Sequence, residues 1–169
     1  MNVLLIVDPQ IDFISGSLAV PKAEEAMQFL ADWIKGHASD YEAIVLTMDQ
    51  HPANHCSFAH EGGPWPPHCV RYSVGAAIHP AVFEAVEAQR REGRPVLMIE
   101  KATTQERDSY SAFEKVIPSI LLEAEHIYVA GIAGDYCVAA SVEDLRREIP
   151  AERIELLEEA IAYIQRPER

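Results

Sequence analysis

The residues in this chain most able to do covalent chemistry are a cysteine, an aspartate and a lysine, each placed where an apolar run ends. The cysteine is Cys137, in GIAGDYCV (131–138), between the run HIYVAG and a helix-like stretch. The chain has 3 cysteines, and one used for packing would sit more naturally inside the apolar run. At the first turn of a helix, free backbone N–H groups and the positive end of the helix dipole favour a thiolate. Gly131 and Gly134 allow a tight turn that exposes the sulfur and aims N–H groups at a developing oxyanion. The alternative is a small buried hydrophobe, the commonest fate of a lone cysteine. A thiol nucleophile needs a base, and no histidine stands free at a strand end. Asp8 follows NVLLIV and can take the thiol proton; Lys101 follows PVLMIE and can stabilise the thiolate. Read singly, Asp8 is equally a turn residue and Lys101 a solvated strand end.

A second constellation lies in residues 49–77, where Pro52, Pro64, Pro66, Pro67, Gly62, Gly63 and Gly75 interrupt any regular pattern. A loop that long in a compact domain is usually functional. Asp49 and His51 are two apart on an extended segment and share a face, and WPPHC brings His68. One carboxylate and two imidazoles, with positions left over for water, suit zinc, manganese or iron(II). A rival is a structural zinc held by Cys56, Cys69 and two histidines, but structural sites are closed at tight ligand spacing and no CxxC pair is present. His51 and His55 as caps of loop turns are the plainer alternative. Aromatic side chains at hand are Phe13, Trp65 and Tyr110. Trp65, between prolines in a polar loop, fits the wall of a flat pocket better than a core.

The elements that must position these residues alternate. Strand-like runs cover 2–7, 43–48, 95–100, 126–131 and 153–158, and helix-like stretches 22–37, 79–92, 113–124 and 136–147, with a short one at 159–165. In EEAMQFLADWIKG, Met27, Leu30 and Ile34 share a face and Gly36 reads as a C-cap. The strand runs are apolar throughout, as strands covered on both faces are. Alternating β and α segments predict a doubly wound, mostly parallel, Rossmann-like α/β sheet. In such sheets ligands bind beyond the carboxyl ends of the strands, and Asp8, Asp49 with His51, Lys101 and the turn to Cys137 all follow strand ends. No repeat or linker divides residues 1–169, so one domain is expected.

With 169 residues, 49% hydrophobic and 24% charged, the chain has ordinary globular composition and can bury a core. A net charge of −13 argues against nucleic acid or an anionic membrane as partner. MNVLLIVDPQ has no basic n-region, no run approaches membrane-spanning length, and three cysteines without a CxxC make no disulfide framework. These features point to a reduced, cytoplasmic protein. Whether it forms a homo-oligomer is left open.

DPQIDF, TMDQHPANHCSF, WPPHC, the lysine at 101, DSYSAF and GIAGDYCV together resemble the nicotinamidase/pyrazinamidase branch of the isochorismatase-like cysteine hydrolases. The resemblance runs in order from Val3 to about Ile161. It implies a Cys–Asp–Lys triad falling on Cys137, Asp8 and Lys101, and one divalent metal, zinc before iron or manganese, held by Asp49, His51 and His68. It also implies Glu61 as a less secure fourth ligand, and a pocket stacking an aromatic amide on residues like Phe13 and Trp65. A cis peptide before Ala133 would aim the Ala133 and Cys137 N–H groups at the oxyanion. The implied reaction converts nicotinamide, and pyrazinamide, to the acid and ammonia through a thioester. Alternatives are a superfamily hydrolase acting on another small amide or on isochorismate, and a non-catalytic metal- or ligand-binding relative. The chain departs from the family at Gly134, commonly threonine, and at Ala102, commonly glycine.

Overall fold

The computed structural model describes residues 1–166. Five strands, β1 (Asn2–Val7), β2 (Ala43–Asp49), β3 (Val96–Lys101), β4 (His126–Ile132) and β5 (Ile154–Ala162), form one sheet in the order β3-β2-β1-β4-β5. Every pairing is parallel. Successive side chains of a strand point to opposite faces, and the core divides accordingly. Leu4 and Ile6 of β1, with Ile44 and Leu46 of β2, pack against Met27, Leu30 and Ile34 of α1 (Ala23–Gly36) and Val82 and Val86 of α2 (Pro80–Arg91). Val3, Leu5 and Val7 pack on the other face against Leu121 of α3 (Ser119–Leu122) and Val142 and Leu145 of α4 (Ala139–Leu145). Helices on both faces make the sheet doubly wound, and burial on both faces explains why β1 and β2 read as unbroken apolar runs.

The direction of winding reverses between β1 and β4, which is where an open parallel sheet leaves a crevice. The register sets what lines it. Val7 lies opposite both Thr47 and Gly131, and Asp49 lies opposite Lys101. The residues that end or follow β1, β2, β3 and β4 therefore stand level on one rim. Gly131 has φ +129°, and a Cβ there would lie 2.0 Å from the Val7 carbonyl oxygen. Only glycine lets β4 come this close to the backbone leading into Asp8.

Three expectations change. The helix expected over 113–124 is confined to Ser119–Leu122, because Pro118 disfavours helical geometry at Ile117 and so cuts the segment in two. No helix forms at 159–165. β5 continues to Ala162, with Ile161 and Ala162 paired to Gly131 and Ile132, since those apolar residues are buried better on the sheet than on an exposed turn. Gly36 is the last helical residue rather than the cap, and the N–H of His37 closes α1 on the Trp33 carbonyl at 2.9 Å. Among the described residues no helix is long and apolar enough to cross a membrane.

Candidate active site

Four rim elements converge on Lys101. Its Nζ lies 2.9 Å from Asp8 Oδ2, 2.6 Å from Asp49 Oδ1 and 3.6 Å from Cys137 Sγ, and it donates to the Ser109 carbonyl at 3.0 Å. All four charged or thiol side chains are buried. Burial alone would strip Lys101 of its proton, but Asp49 and Asp8 hold its pKa well above the ordinary lysine value. The two carboxylates respond oppositely. Burial lifts Asp8, and Lys101 only partly offsets it; Asp49, with Lys101 and His51 both beside it, is held below the usual carboxylate range. Asp8 is thus the carboxylate readier to accept a proton, and it shares the Lys101 ammonium with the Cys137 thiol.

The backbone reaching these groups is unusual. Asp8 has φ +46° and Ala102 +50°, left-handed values that cost a non-glycine residue about 1–2 kcal/mol each. For Ala102 the conformation has a visible consequence, since its carbonyl accepts the His51 Nδ1 hydrogen bond at 2.8 Å. Ala102 therefore occupies a position suited to glycine without loss of that contact.

Cys137 does not sit in the first turn of an α-helix as expected. It lies in a wider π-type turn, Gly134–Val138, that runs into α4. Nor is its thiolate favoured: burial pushes the thiol well above its ordinary pKa, Lys101 opposes this, and Asp8 and Asp49 reinforce it. One ammonium facing two carboxylates leaves no surplus positive charge for a third anion. The proton must be taken by a base during attack, which places the demand on Asp8. The Ile132–Ala133 peptide bond is cis, as the resemblance implied, and the Ala133 carbonyl accepts from the N–H groups of Tyr136 and Val138 at 3.1 and 3.0 Å.

On the far side of Asp49 lie the two imidazoles. Ligand atoms of Asp49, His51 and His68 all fall within 4.8 Å of one another. His51 Nε2 is 3.2 Å and His68 Nε2 3.9 Å from Asp49 Oδ2, and buried His51 Nε2 has no hydrogen-bond partner. The opposite ring nitrogens are engaged: His51 Nδ1 donates to the Ala102 carbonyl and His68 Nδ1 to that of Pro66, each at 2.8 Å. Those bonds fix the tautomer that turns both Nε2 lone pairs toward the carboxylate, the usual outer support of a metal-bound histidine. The residues fit a divalent cation. Gln10, which the sequence did not single out, clamps the backbone here. It accepts from the Asp49 N–H at 2.8 Å and donates to the Asp49 carbonyl at 2.7 Å.

Glu61 does not join this cluster. It is exposed, its nearest ionic partner is His60 Nε2 at 3.7 Å, and it sits on a short turn, Ala59–Glu61, outside the group formed by Asp49, His51 and His68. The cysteine-based rival also fails, since neither Cys56 nor Cys69 belongs to the group, and burial raises the Cys69 pKa far above the thiol range. His55 is a packing residue: its ring stacks on His51 at 4.0 Å, and its nitrogens engage the Ser57 hydroxyl and the Arg107 carbonyl. We expect purified protein to carry about one divalent ion per chain and Asp49→Ala to lose most of it, with Glu61→Gln unchanged. Elemental analysis giving equal metal in wild type and Asp49→Ala would refute the assignment.

Above Cys137 a pocket opens between apolar walls. Phe13, Trp65 and Tyr110 all line it, together with Tyr136, Leu18, Val20, Ile164 and Ala133, while Asp49, His68, Asp108 and Cys137 are its polar lining residues. Trp65 Nε1 donates to the Tyr110 hydroxyl at 3.2 Å, and Tyr136 meets both rings edge-on, at 5.3 and 5.6 Å. Tyr136 adjoins Cys137 in sequence and could have been read as a pocket residue from that alone; Asp108 and Ile164 carried no such signal.

The isochorismatase domain model matches residues 2–148. The nicotinamidase/pyrazinamidase of Mycobacterium tuberculosis is 35% identical over 167 residues, covering 91% of this chain and 83% of that protein. Among solved structures, the pyrazinamidase of Pyrococcus horikoshii in complex with zinc has a TM-score of 0.76 at 30% identity, covering 97% of this chain and 87% of that one. PnC1 from L. infantum in complex with nicotinate has a TM-score of 0.76 at 35% identity, covering 98% and 82%.

Proposed function

This chain belongs to the isochorismatase domain family, and from that premise we propose that it is an amidohydrolase converting nicotinamide to nicotinate and ammonia, and pyrazinamide to its acid. The observation carrying this reading is a buried Cys137–Lys101–Asp8 cluster at the floor of an aromatic pocket that also reaches Asp49 and His68. A flat ring with an amide at one side and a ring nitrogen at the other matches that layout. Similarity to the nicotinamidase/pyrazinamidase of M. tuberculosis supports it further.

Phe13, Trp65 and Tyr136 sandwich the ring and exclude water, which holds the carboxamide carbon against Cys137. Asp8 takes the thiol proton as sulfur attacks. Carbon–sulfur bond formation puts charge on the carbonyl oxygen, toward which the turn at Ala133 and Cys137 offers its N–H groups. Collapse breaks the C–N bond, and Asp8 returns the proton to the departing ammonia. Water, deprotonated by Asp8, then hydrolyses the thioester to release the acid and the thiol. Lys101 keeps Asp8 and Cys137 in register and compensates the buried negative charge.

Asp49, His51 and His68 would hold a divalent metal, which supplies a Lewis acid for the ring nitrogen. Two imidazoles and one carboxylate with open positions suit zinc, and the P. horikoshii relative was solved with zinc. Three unpaired thiols, one of them the nucleophile, suit a reducing compartment.

Ammonia release from pure protein is the direct test. Nicotinamide and pyrazinamide should both be hydrolysed, and benzamide, which lacks the ring nitrogen, should react at least about tenfold more slowly for want of that orienting contact. Benzamide cleaved as fast as nicotinamide would overturn the orienting role of Asp49, His51 and His68. Hydrolysis of an aliphatic amide alone would replace the substrate assignment.

A further inference from the structure

The residues after β5 return to the nucleophile turn. β5 advances from Leu156 to Ile161 while its partner β4 advances only from Val129 to Gly131. Three extra residues in β5 bring Tyr163, rather than a residue three positions earlier, against the turn. The Tyr163 ring occupies the space beside Gly134: a Cβ on that residue would lie 2.3 Å from Tyr163 Cε1 and 2.5 Å from Cδ1. The same ring packs against the apolar cluster that contains Cys137 and Val138. Asp135, next in the turn, grips the chain that follows, its Oδ1 accepting from Ile164 N–H at 2.9 Å and its Oδ2 from Gln165 N–H at 2.8 Å. Ile164 is thereby turned to the opposite side, where it lines the pocket with Phe13, Leu18 and Val20. The Tyr163 hydroxyl donates to Glu158 at 3.0 Å, tying the clamp to the bulge itself.

We propose that Tyr163–Gln165 is a working part of the active site, with Tyr163 a positioning residue that braces the nucleophile turn through Gly134, and Ile164 a specificity-determining wall for the substrate ring, held in place by Asp135. Gly134 is then small because Tyr163 needs its space, and a side chain at one position excludes the ring at the other. The proposal takes from the amidase reading only the nature of the ring that Ile164 meets.

The test is reciprocal. Gly134→Ala should lower kcat by about a hundredfold, as expected when a reacting group is displaced by roughly an ångström. Adding Tyr163→Ala should restore at least about tenfold of that loss, because vacating the ring lets the turn return. Alkylation of Cys137 by iodoacetamide, followed at the peptide level, should change in Gly134→Ala and return toward wild type in the double variant, and this readout needs no substrate. Ile164→Ala should raise KM several-fold with a smaller change in kcat. Additive losses in the double variant, in both kcat and alkylation rate, would overturn the bracing role, and an unaltered KM in Ile164→Ala the wall. If wild type releases no ammonia from nicotinamide while the alkylation pattern holds, the substrate assignment has failed and the bracing of the turn stands.

Discussion

Replacing Cys137 with alanine is expected to reduce ammonia release by at least about 10⁴-fold, since removing a covalent nucleophile leaves only binding and electrostatic assistance. The fold should survive. Cys137 is buried in an apolar cluster, but alanine removes one sulfur atom and no charge. The thiol is neutral at rest, so no counter-ion is stranded by its loss. The controls are the other cysteines. Cys56 is only partly buried and Cys69 wholly so, and the Lys101 ammonium reaches the sulfur of Cys137 alone among the three. Cys56→Ala and Cys69→Ala should keep most of the turnover, with Cys69→Ala showing a modest loss of thermal stability from the cavity it leaves. Appreciable hydrolysis by Cys137→Ala would end the thioester mechanism, whatever the pocket binds.

The sheet was legible because its signal is redundant. β1, β2 and most of β4 are short apolar runs buried on both faces, and the runs of β1 to β4 end within a residue of where the strands end, whereas β5 continues four residues past its run. The elements that were misread are those whose periodicity competes with something nonlocal. In 113–124 the apolar spacing suits a helix, but Pro118 divides it. In 159–165 the apolar residues AIAYI look equally good on a helix face and on a strand, and pairing of Ile161 with Gly131 across a bulge decides between them. Bulges leave no mark in the sequence, because they answer to the partner strand.

The site was legible for a related reason. In a parallel sheet the residue after each strand stands on the same rim, so Asp8, Asp49, Lys101 and the turn to Cys137 could be assembled without knowing any contact. What the rule does not supply is charge balance. Placing Cys137 at a helix start suggested a stabilised thiolate, whereas Asp8 and Asp49 outnumber Lys101 and burial acts on all of them. Glu61 shows the limit of transferring a ligand by resemblance: it lies in the same loop as His68, yet it is exposed on its turn and stands outside the group of Asp49, His51 and His68. Gln10, which fixes Asp49 through its backbone, and Tyr163, which braces Gly134, lie far in sequence from what they hold, and only the fold brings them there.

Lys101→Met should cost both activity and stability, and the pH dependence of the second identifies the cause. The ammonium is the shared partner of Asp8, Asp49 and Cys137. Methionine matches its stem but leaves Asp8 buried with only the Thr47 hydroxyl, 2.8 Å from Oδ1, for compensation. Breaking one side of a buried ion pair costs about 3–5 kcal/mol, which for a domain of this size lowers Tm by roughly 6–20 °C. Turnover should fall by about 10²–10⁴-fold, the usual span for a disrupted proton-transfer group. In wild type, burial already raises the Asp8 pKa above that of an unfolded aspartate, and Lys101 is the main group pulling it down. Removing Lys101 raises it further. A carboxyl with a raised folded-state pKa binds its proton more tightly in the folded chain, so its ionisation destabilises the fold as pH rises, and stability returns as pH falls through the raised value toward the unfolded one near 3.9. Asp49 has the opposite sign in the wild type. Its pKa is held down there by Lys101 and His51, so its contribution is present above the unfolded value and lost below it; without Lys101 it moves up as well, and its change adds to that of Asp8. The Tm deficit of Lys101→Met relative to wild type should therefore be smaller at about pH 5 than at about pH 7. A deficit independent of pH would mean that Lys101 acts through packing rather than charge, and the assignment of Asp8 as the base it tunes would fall with it.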